Sequence, residues 1–268
     1  MDWPLVVTTL QRSAARLQHL ILNNAAGMST HRFPCTRKDS YRDVEFPELK
    51  VVEFDRCAIR RSDSGALALL RQMARTSRQL EEFRFVGKSA WIGEEIDEHV
   101  TAADFVDCLR SSRGTLRVLS IDLTKFIFQV NQLSCPPLDR AALVDFTRLK
   151  KISLEDASFC HHHRLADPTS HLLPVSVRHL ILRVYHAEAT RGGGGGGAWD
   201  DITELACQTG VAGRFSNLRK VKLRVTVGEE YGTRDVSTAD GGRFVAEVET
   251  RRKAIRGLCT KSGVLFSI

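Results

Sequence analysis

No stretch of this 268-residue chain approaches the ~20 apolar residues of a membrane-spanning helix, so no span is expected. The opening Met1-Asp2-Trp3-Pro4 carries an acid where a secretory leader needs basic residues. The apolar run from Pro4 to Val7 is also too short for a leader's core. Cysteine is limited to seven residues, an odd number, with no pair at C-x-x-C spacing. That argues against a disulfide framework and for a reducing compartment, cytoplasmic or nuclear, where free thiols act as small apolar side chains. Three Trp and three Tyr are few for stacking on bases, and no dense Lys/Arg block exists despite a net charge of +7. Nucleic-acid binding is therefore not expected, whereas the overall charge suits acidic partners. A G-x-S-x-G elbow or other nucleophile signature is missing too. The carboxylate neighbours Glu81-Glu82, Glu94-Glu95, Asp200-Asp201 and Glu229-Glu230 point apart on regular structure and read as solvated faces. No enzyme chemistry, catalytic residue or cofactor is expected.

What the chain does have is a recurring apolar phrase: Leu, two residues, Leu or Val, one residue, then Leu, Phe or Ile. The copies are Leu17-Leu20-Leu22, Leu49-Val52-Phe54, Leu80-Phe83-Phe85, Leu116-Leu119-Ile121, Leu149-Ile152-Leu154, Val177-Leu180-Leu182 and Leu218-Val221-Leu223. A terminal copy, Val264-Phe266-Ile268, keeps only the last pair in register. The first positions (17, 49, 80, 116, 149, 177 and 218) differ by 28 to 41 residues. A fixed phrase at that interval predicts stacked units that bury their apolar faces only against neighbours. Such an array has no internal boundary, so residues 1–268 read as one domain.

Within each phrase apolar and polar residues alternate, as in Val52-Glu53-Phe54-Asp55 and Val221-Lys222-Leu223-Arg224. Period-two alternation predicts strands with one buried and one exposed face. Helical spacing appears between them, at Gly65 to Gln79 with Ser62 or Asp63 as caps, and after the capping-box-like Thr101-Ala102-Ala103-Asp104. Shorter or later helices are expected at Leu138 to Phe146, Trp199 to Thr209 and Gly242 to Thr260, the last stopped near Gly263. Two segments break the pattern. The polar stretch 23–44 reads as a long loop, and 186–200, which holds the run Gly192 to Gly197, reads as a flexible insertion. No Gly-Lys-Ser/Thr follows those glycines, so they are not a phosphate-cradling loop. The tract Cys160-His161-His162-His163, with His171 beyond it, has ligand types suited to zinc or copper. Adjacent residues cannot all converge on one ion, however, and no second cluster completes a site, so a solvated loop and no metal are expected.

Leu49-x-x-Val52-x-Phe54-x-x-Cys57 matches the leucine-rich-repeat pattern L-x-x-L-x-L-x-x-N/C, in which the Asn or Cys turns the chain out of the strand and satisfies backbone groups. The equivalent positions elsewhere depart from it: Ala25, Lys88, Thr124, Ala157, Tyr185 and Thr226. Together with Phe46-Pro47-Glu48-Leu49-Lys50, Phe146-Thr147-Arg148-Leu149-Lys150 and Phe215-Ser216-Asn217-Leu218-Arg219, the chain from about Ala15 to Ile268 resembles the degenerate leucine-rich repeats of fungal F-box proteins. The resemblance implies an α/β horseshoe solenoid with a single parallel sheet on the concave side and helices on the convex side. It implies a non-catalytic, monomeric protein-interaction module of the kind that recognises ubiquitin-ligase substrates. Only sixteen residues precede Leu17, with no F-box pattern among them, so docking to a Skp1-type adaptor is not expected.

In such a horseshoe the residues between the buried strand positions line the concave face. The charged ones, the candidate protein-binding residues, are Glu53, Asp55, Arg84, Asp122, Glu155, Arg183, Lys222 and Arg224. The row runs from acidic and neutral to basic, and the basic end (Arg183, Lys222, Arg224) is expected to contact an acidic part of a protein partner. Two rivals are a free-standing repeat protein unconnected with ubiquitin and a small hydrolase on a doubly wound sheet. The second is disfavoured by the alternation, because doubly wound strands read as near-continuous apolar runs.

Overall fold

The structure, a computed structural model, describes residues 10, 12–24, 44–57, 59, 64–87, 100–123, 138, 142–155, 173–185, 203, 205–209, 213–226 and 238–267. The stretches 25–43 and 186–202, including the glycine run, lie outside the described residues, as does the tract from Cys160 to His163 with His171.

Each phrase is a strand. In chain order these are β1 (His19–Asn23), β2 (Val51–Cys57), β3 (Glu82–Gly87), β4 (Val118–Asp122), β5 (Lys151–Glu155), β6 (His179–Tyr185), β7 (Lys220–Thr226) and β8 (Leu265–Ser267). They form one open parallel sheet whose spatial order is the sequence order, β1 to β8. Strictly sequential order has no point at which the winding reverses, so the sheet is not doubly wound. The register pairs phrase with phrase: Leu119 lies beside Ile152, Ile152 beside Leu180 and Leu180 beside Val221. These four are fully buried, as their alternation predicts.

Two devices recur where the chain enters its strands, the first at β2, β5 and β7 and the second between successive repeats. The first is a turn in which the Leu N–H bonds back three residues, from Leu49 to the Phe46 carbonyl (3.2 Å), Leu149 to Phe146 (3.0 Å) and Leu218 to Phe215 (3.0 Å). Both ends of each turn are buried, so the F-x-x-L spacing inserts two side chains into the core while the chain reverses. The second is a carbonyl ladder. The carbonyls of Gln18, Lys50, Glu81, Arg117, Lys150 and Arg178, each just after the first apolar residue of its phrase, accept two N–H groups from the next repeat at 2.7–3.1 Å. Ser77 and Ser176 add hydroxyl bonds to the carbonyls of Leu49 and Leu149, the latter at 2.8 Å.

Three helices are continuous enough to number: α1 (Ser64–Thr76), α2 (Ala102–Cys108) and α3 (Thr238–Lys261). Ser62 and Asp63, the expected caps of α1, are outside the described residues. Thr101 and Asp104 cap α2 reciprocally, Thr101 N–H to the carboxylate at 2.8 Å and Asp104 N–H to the hydroxyl at 3.3 Å. Aspartate therefore serves in the place usually held by Glu or Gln. α3 ends at Gly263, whose φ of 71° is the left-handed conformation that lets the Val264 N–H reach back to the Cys259 carbonyl at 2.8 Å. The helix expected from Leu138 to Phe146 is absent from the described part of that stretch, where 142–145 are turns. A run of nine residues that must also form the buried Phe146 turn has too few positions left for a helical nucleus. Of the segment from Trp199 to Thr209, positions 203 and 205–207 are helical.

The core lies on one face of the sheet. Phe83 and Phe85 of β3 meet Phe105 of α2, with ring centroids 5.4 Å (Phe83) and 4.5 Å (Phe85) from the Phe105 ring, and Phe54 of β2 packs against both β3 rings. Cys57, the residue that fits the repeat pattern, is wholly buried and its thiol donates to the Leu22 carbonyl of β1 at 3.3 Å. It satisfies a backbone group of the neighbouring repeat, as its place in the pattern predicts. Just before it the register slips between Phe54 and Cys57, and Arg56 takes a positive φ of 51°, so the chain leaves β2 through a bulge.

Truncating Phe105 to Ala removes the ring that joins α2 to β3 and should cost about 3–5 kcal/mol, measured by urea denaturation. A loss below about 1 kcal/mol would show that the ring cluster does not hold α2 to the sheet. A second test uses the core thiols. Burial pushes the Cys108 thiol up to about 11, with Arg71 opposing and Asp104 and Asp107 adding to the rise; burial raises Cys259 as well. A thiol with a raised folded-state pKa keeps its proton after the unfolded chain has lost its own. The associated stability is therefore full below the ordinary value near 9 and falls as pH rises towards 11. Melting temperature should drop between pH 8.5 and 11, and the drop should be smaller in Cys108→Ala, whatever that variant's starting value.

Candidate functional site

The face of the sheet opposite the core carries the predicted site residues. Glu53 and Arg84 are register partners on β2 and β3 and lie 3.8 Å apart; Arg84 also holds Glu82 at 2.6 Å. All three are partly exposed, so this small network contributes little to stability. Asp55 pairs with the adjacent Arg56 at 3.2 Å. Glu155 is the register partner of Arg183, and Arg183 that of Arg224.

Arg183 departs from expectation. It is only 7 % exposed, and its guanidinium leaves β6, crosses β5 and meets the Asp122 carboxylate of β4 at 3.1 Å. It also donates to the Ile121 carbonyl at 2.9 Å. A cation so engaged is not available to a partner at the basic end of the row. The physical reason is reach: two strand spacings, about 9.6 Å, lie within an extended arginine, and Asp122 offers the opposite charge at the matching level. The row expected to grade smoothly from acidic to basic is therefore neutralised at its centre. Lys222, half-buried, and Arg224, exposed, remain without an ion-pair partner among the described residues.

A second arrangement lies at the sheet edge where the strands begin. Arg117, Thr147, Arg148, Lys150, Ser176, Arg178 and Asn217 line a cleft of about 320 Å³. The carbonyl ladder places Arg117, Lys150 and Arg178 on successive strand starts, and the F-x-x-L turns supply Arg148 and Asn217 beside them. Period-two alternation does not reveal this set, because it identifies only the residues between buried strand positions. The available signal was the residue after the first apolar position of each phrase: Gln18, Lys50 and Glu81, then Arg117, Lys150, Arg178 and Arg219. From the fourth copy to the seventh it is always basic.

Among the described residues no group of three or more His, Cys, Asp or Glu is placed to hold a metal ion, and no helix is long and apolar enough to cross a membrane. No protein-family model, curated protein or solved structure matches the chain.

The Asp122–Arg183 pair has an asymmetric expectation. Asp122→Ala takes the carboxylate away from the buried Arg183 guanidinium, which keeps its bond to the Ile121 carbonyl, and should cost about 2–3 kcal/mol, below the 3–5 of a fully enclosed pair because Asp122 is partly exposed. Arg183→Met removes the cation while keeping apolar bulk and should cost less. Equal losses in chemical denaturation would mean that the guanidinium reaches solvent.

Proposed function

We propose that this chain is a non-catalytic protein-interaction scaffold of leucine-rich-repeat-like, horseshoe form, which binds a protein partner along the open face of its sheet. The observation that carries the reading is the in-register, sequential sheet, which buries one face and leaves the other as a continuous surface of side chains from every repeat. Ile21 at one end, Arg84 near it and Arg224 at the other are exposed on that face. Parallel strands in strict order set these side chains at regular intervals of about 4.8 Å, which suits an extended segment of a partner lying across the strands.

Charge orients the partner. With Arg183 bound internally, Lys222 and Arg224, on alternate residues of β7, are the predicted site cations without an ion-pair partner among the described residues. An acidic segment of the partner would sit there and its other end would lie towards Glu53 and Asp55, whose cations are already nearby. Exposed pairs contribute only ~0.2–1 kcal/mol each, so apolar and backbone contacts along the face provide the affinity and charge governs association rate and direction. The resemblance to the repeat region of F-box proteins adds the proposal that such a partner is a ubiquitin-ligase substrate.

The test is quantitative affinity capture from cell extract with wild type, a Lys222→Glu/Arg224→Glu variant and an Ile21→Arg variant. Proteins that bind the face should be depleted by both variants and recovered at higher salt less than at low salt. A captured set that is the same for all three chains would remove the open face from the proposal.

A further inference from the structure

We infer that the cleft at the strand-start edge binds a small anion carrying two phosphate groups, a ligand class independent of the protein partner proposed for the sheet face. Four of its seven lining residues are cations, Arg117, Arg148, Lys150 and Arg178, and none is a carboxylate. Arg117 has an ion pair, with Glu81 at 3.4 Å; among the described residues Arg148, Lys150 and Arg178 have none. Four positive charges held on adjacent strand starts repel one another, and the fold keeps them together because the carbonyl ladder fixes their backbones. An anion relieves that repulsion as well as attracting each cation.

The residue types specify phosphate. Three guanidinium groups present planar forks that bond two oxygens at once, and a single Lys adds a mobile point charge. Thr147, Ser176 and Asn217 complete the lining with polar groups. Ser176 donates its proton to the Leu149 carbonyl and Asn217 its amide to the Val175 carbonyl at 3.3 Å, so both are held in place. Charge sets the number of groups: a phosphate carries about −1.5 to −2 at neutral pH, so two of them balance the lining. Size sets the class, because about 320 Å³ is at the lower bound of small-ligand sites. No aromatic residue lines the cleft to stack a base, which separates it from a single-stranded nucleic-acid groove.

The experiment is isothermal titration of the full chain with pyrophosphate, repeated with orthophosphate and with sulfate at matched ionic strength. Saturable one-to-one binding of pyrophosphate is expected, tighter than orthophosphate and not displaced by equimolar sulfate. Arg148→Glu, Lys150→Glu and Arg178→Glu should each weaken it about tenfold or more, since each removes a charge-assisted contact and adds a repulsive one. The Lys222→Glu/Arg224→Glu variant, changed by the same charge per site on the sheet face, should bind as wild type does. All three cleft positions are exposed, and circular dichroism is the check that each variant folds; Arg178→Lys, keeping the charge without the fork, should fall between wild type and Arg178→Glu. Absence of pyrophosphate binding, unchanged affinity in the cleft variants, or displacement by equimolar sulfate would overturn the assignment. So would tighter binding of a short DNA duplex through the same residues, which would make the edge a nucleic-acid contact.

Discussion

The rest of the structure depends on one backbone arrangement, the carbonyl that follows the first apolar residue of each of the first six phrases and accepts two N–H groups from the next repeat. A parallel strand cannot be entered through a tight hairpin, so its start must be located by other means. Here a short turn buries an apolar residue at each end, and the shared carbonyl then sets the register before the strand proper begins. Once that is fixed, alternation places Val52, Phe83, Leu119, Ile152, Leu180 and Val221 in one buried line without further instruction. Because the ladder passes from each repeat only to the next, the variable lengths between repeats are tolerated. Intervals of 28 and 41 residues deliver the chain to the same kind of turn.

The same arrangement separates two surfaces with different chemistry. Residues two apart within a strand share the open face, where opposite charges meet across strands and cancel over much of its width. Residues at the strand starts share an edge, where from the fourth repeat to the seventh like charges accumulate without carboxylates between them. A face with compensated charge favours an extended protein surface, while a concave edge with uncompensated charge favours a compact anion. Both derive from one register and need no change of fold to coexist.

Much of this was legible from residue order. Strand positions, the buried line, the sequential order and the capping box at Thr101 follow from spacing alone, because period-two alternation and cap chemistry are local. Cys57 was legible for the same reason, as its position in the phrase requires a group that can bond to the previous repeat. The destination of Arg183 was not. Its partner Asp122 is 61 positions away and two strands distant, and alternation says which face a side chain leaves from but not how far it bends along that face. The cleft was hidden by a related gap. Its residues come from four phrases and gather at an edge, and only the three-dimensional ladder reveals that Arg117, Lys150 and Arg178 are neighbours. The turns at 142–145 show the limit of helical patterning, where a short apolar run was claimed by the following turn.

The reach of Arg183 across β5 has a mechanical meaning. Neighbouring strands in an open parallel sheet can hinge slightly about each line of hydrogen bonds, so the sheet bends and twists as a chain of soft joints. A side chain that links β4 to β6 above β5 acts as a brace over two successive joints. Opening the sheet there would stretch the ion pair. A brace of this kind resists bending at the β4–β5 and β5–β6 joints that it spans.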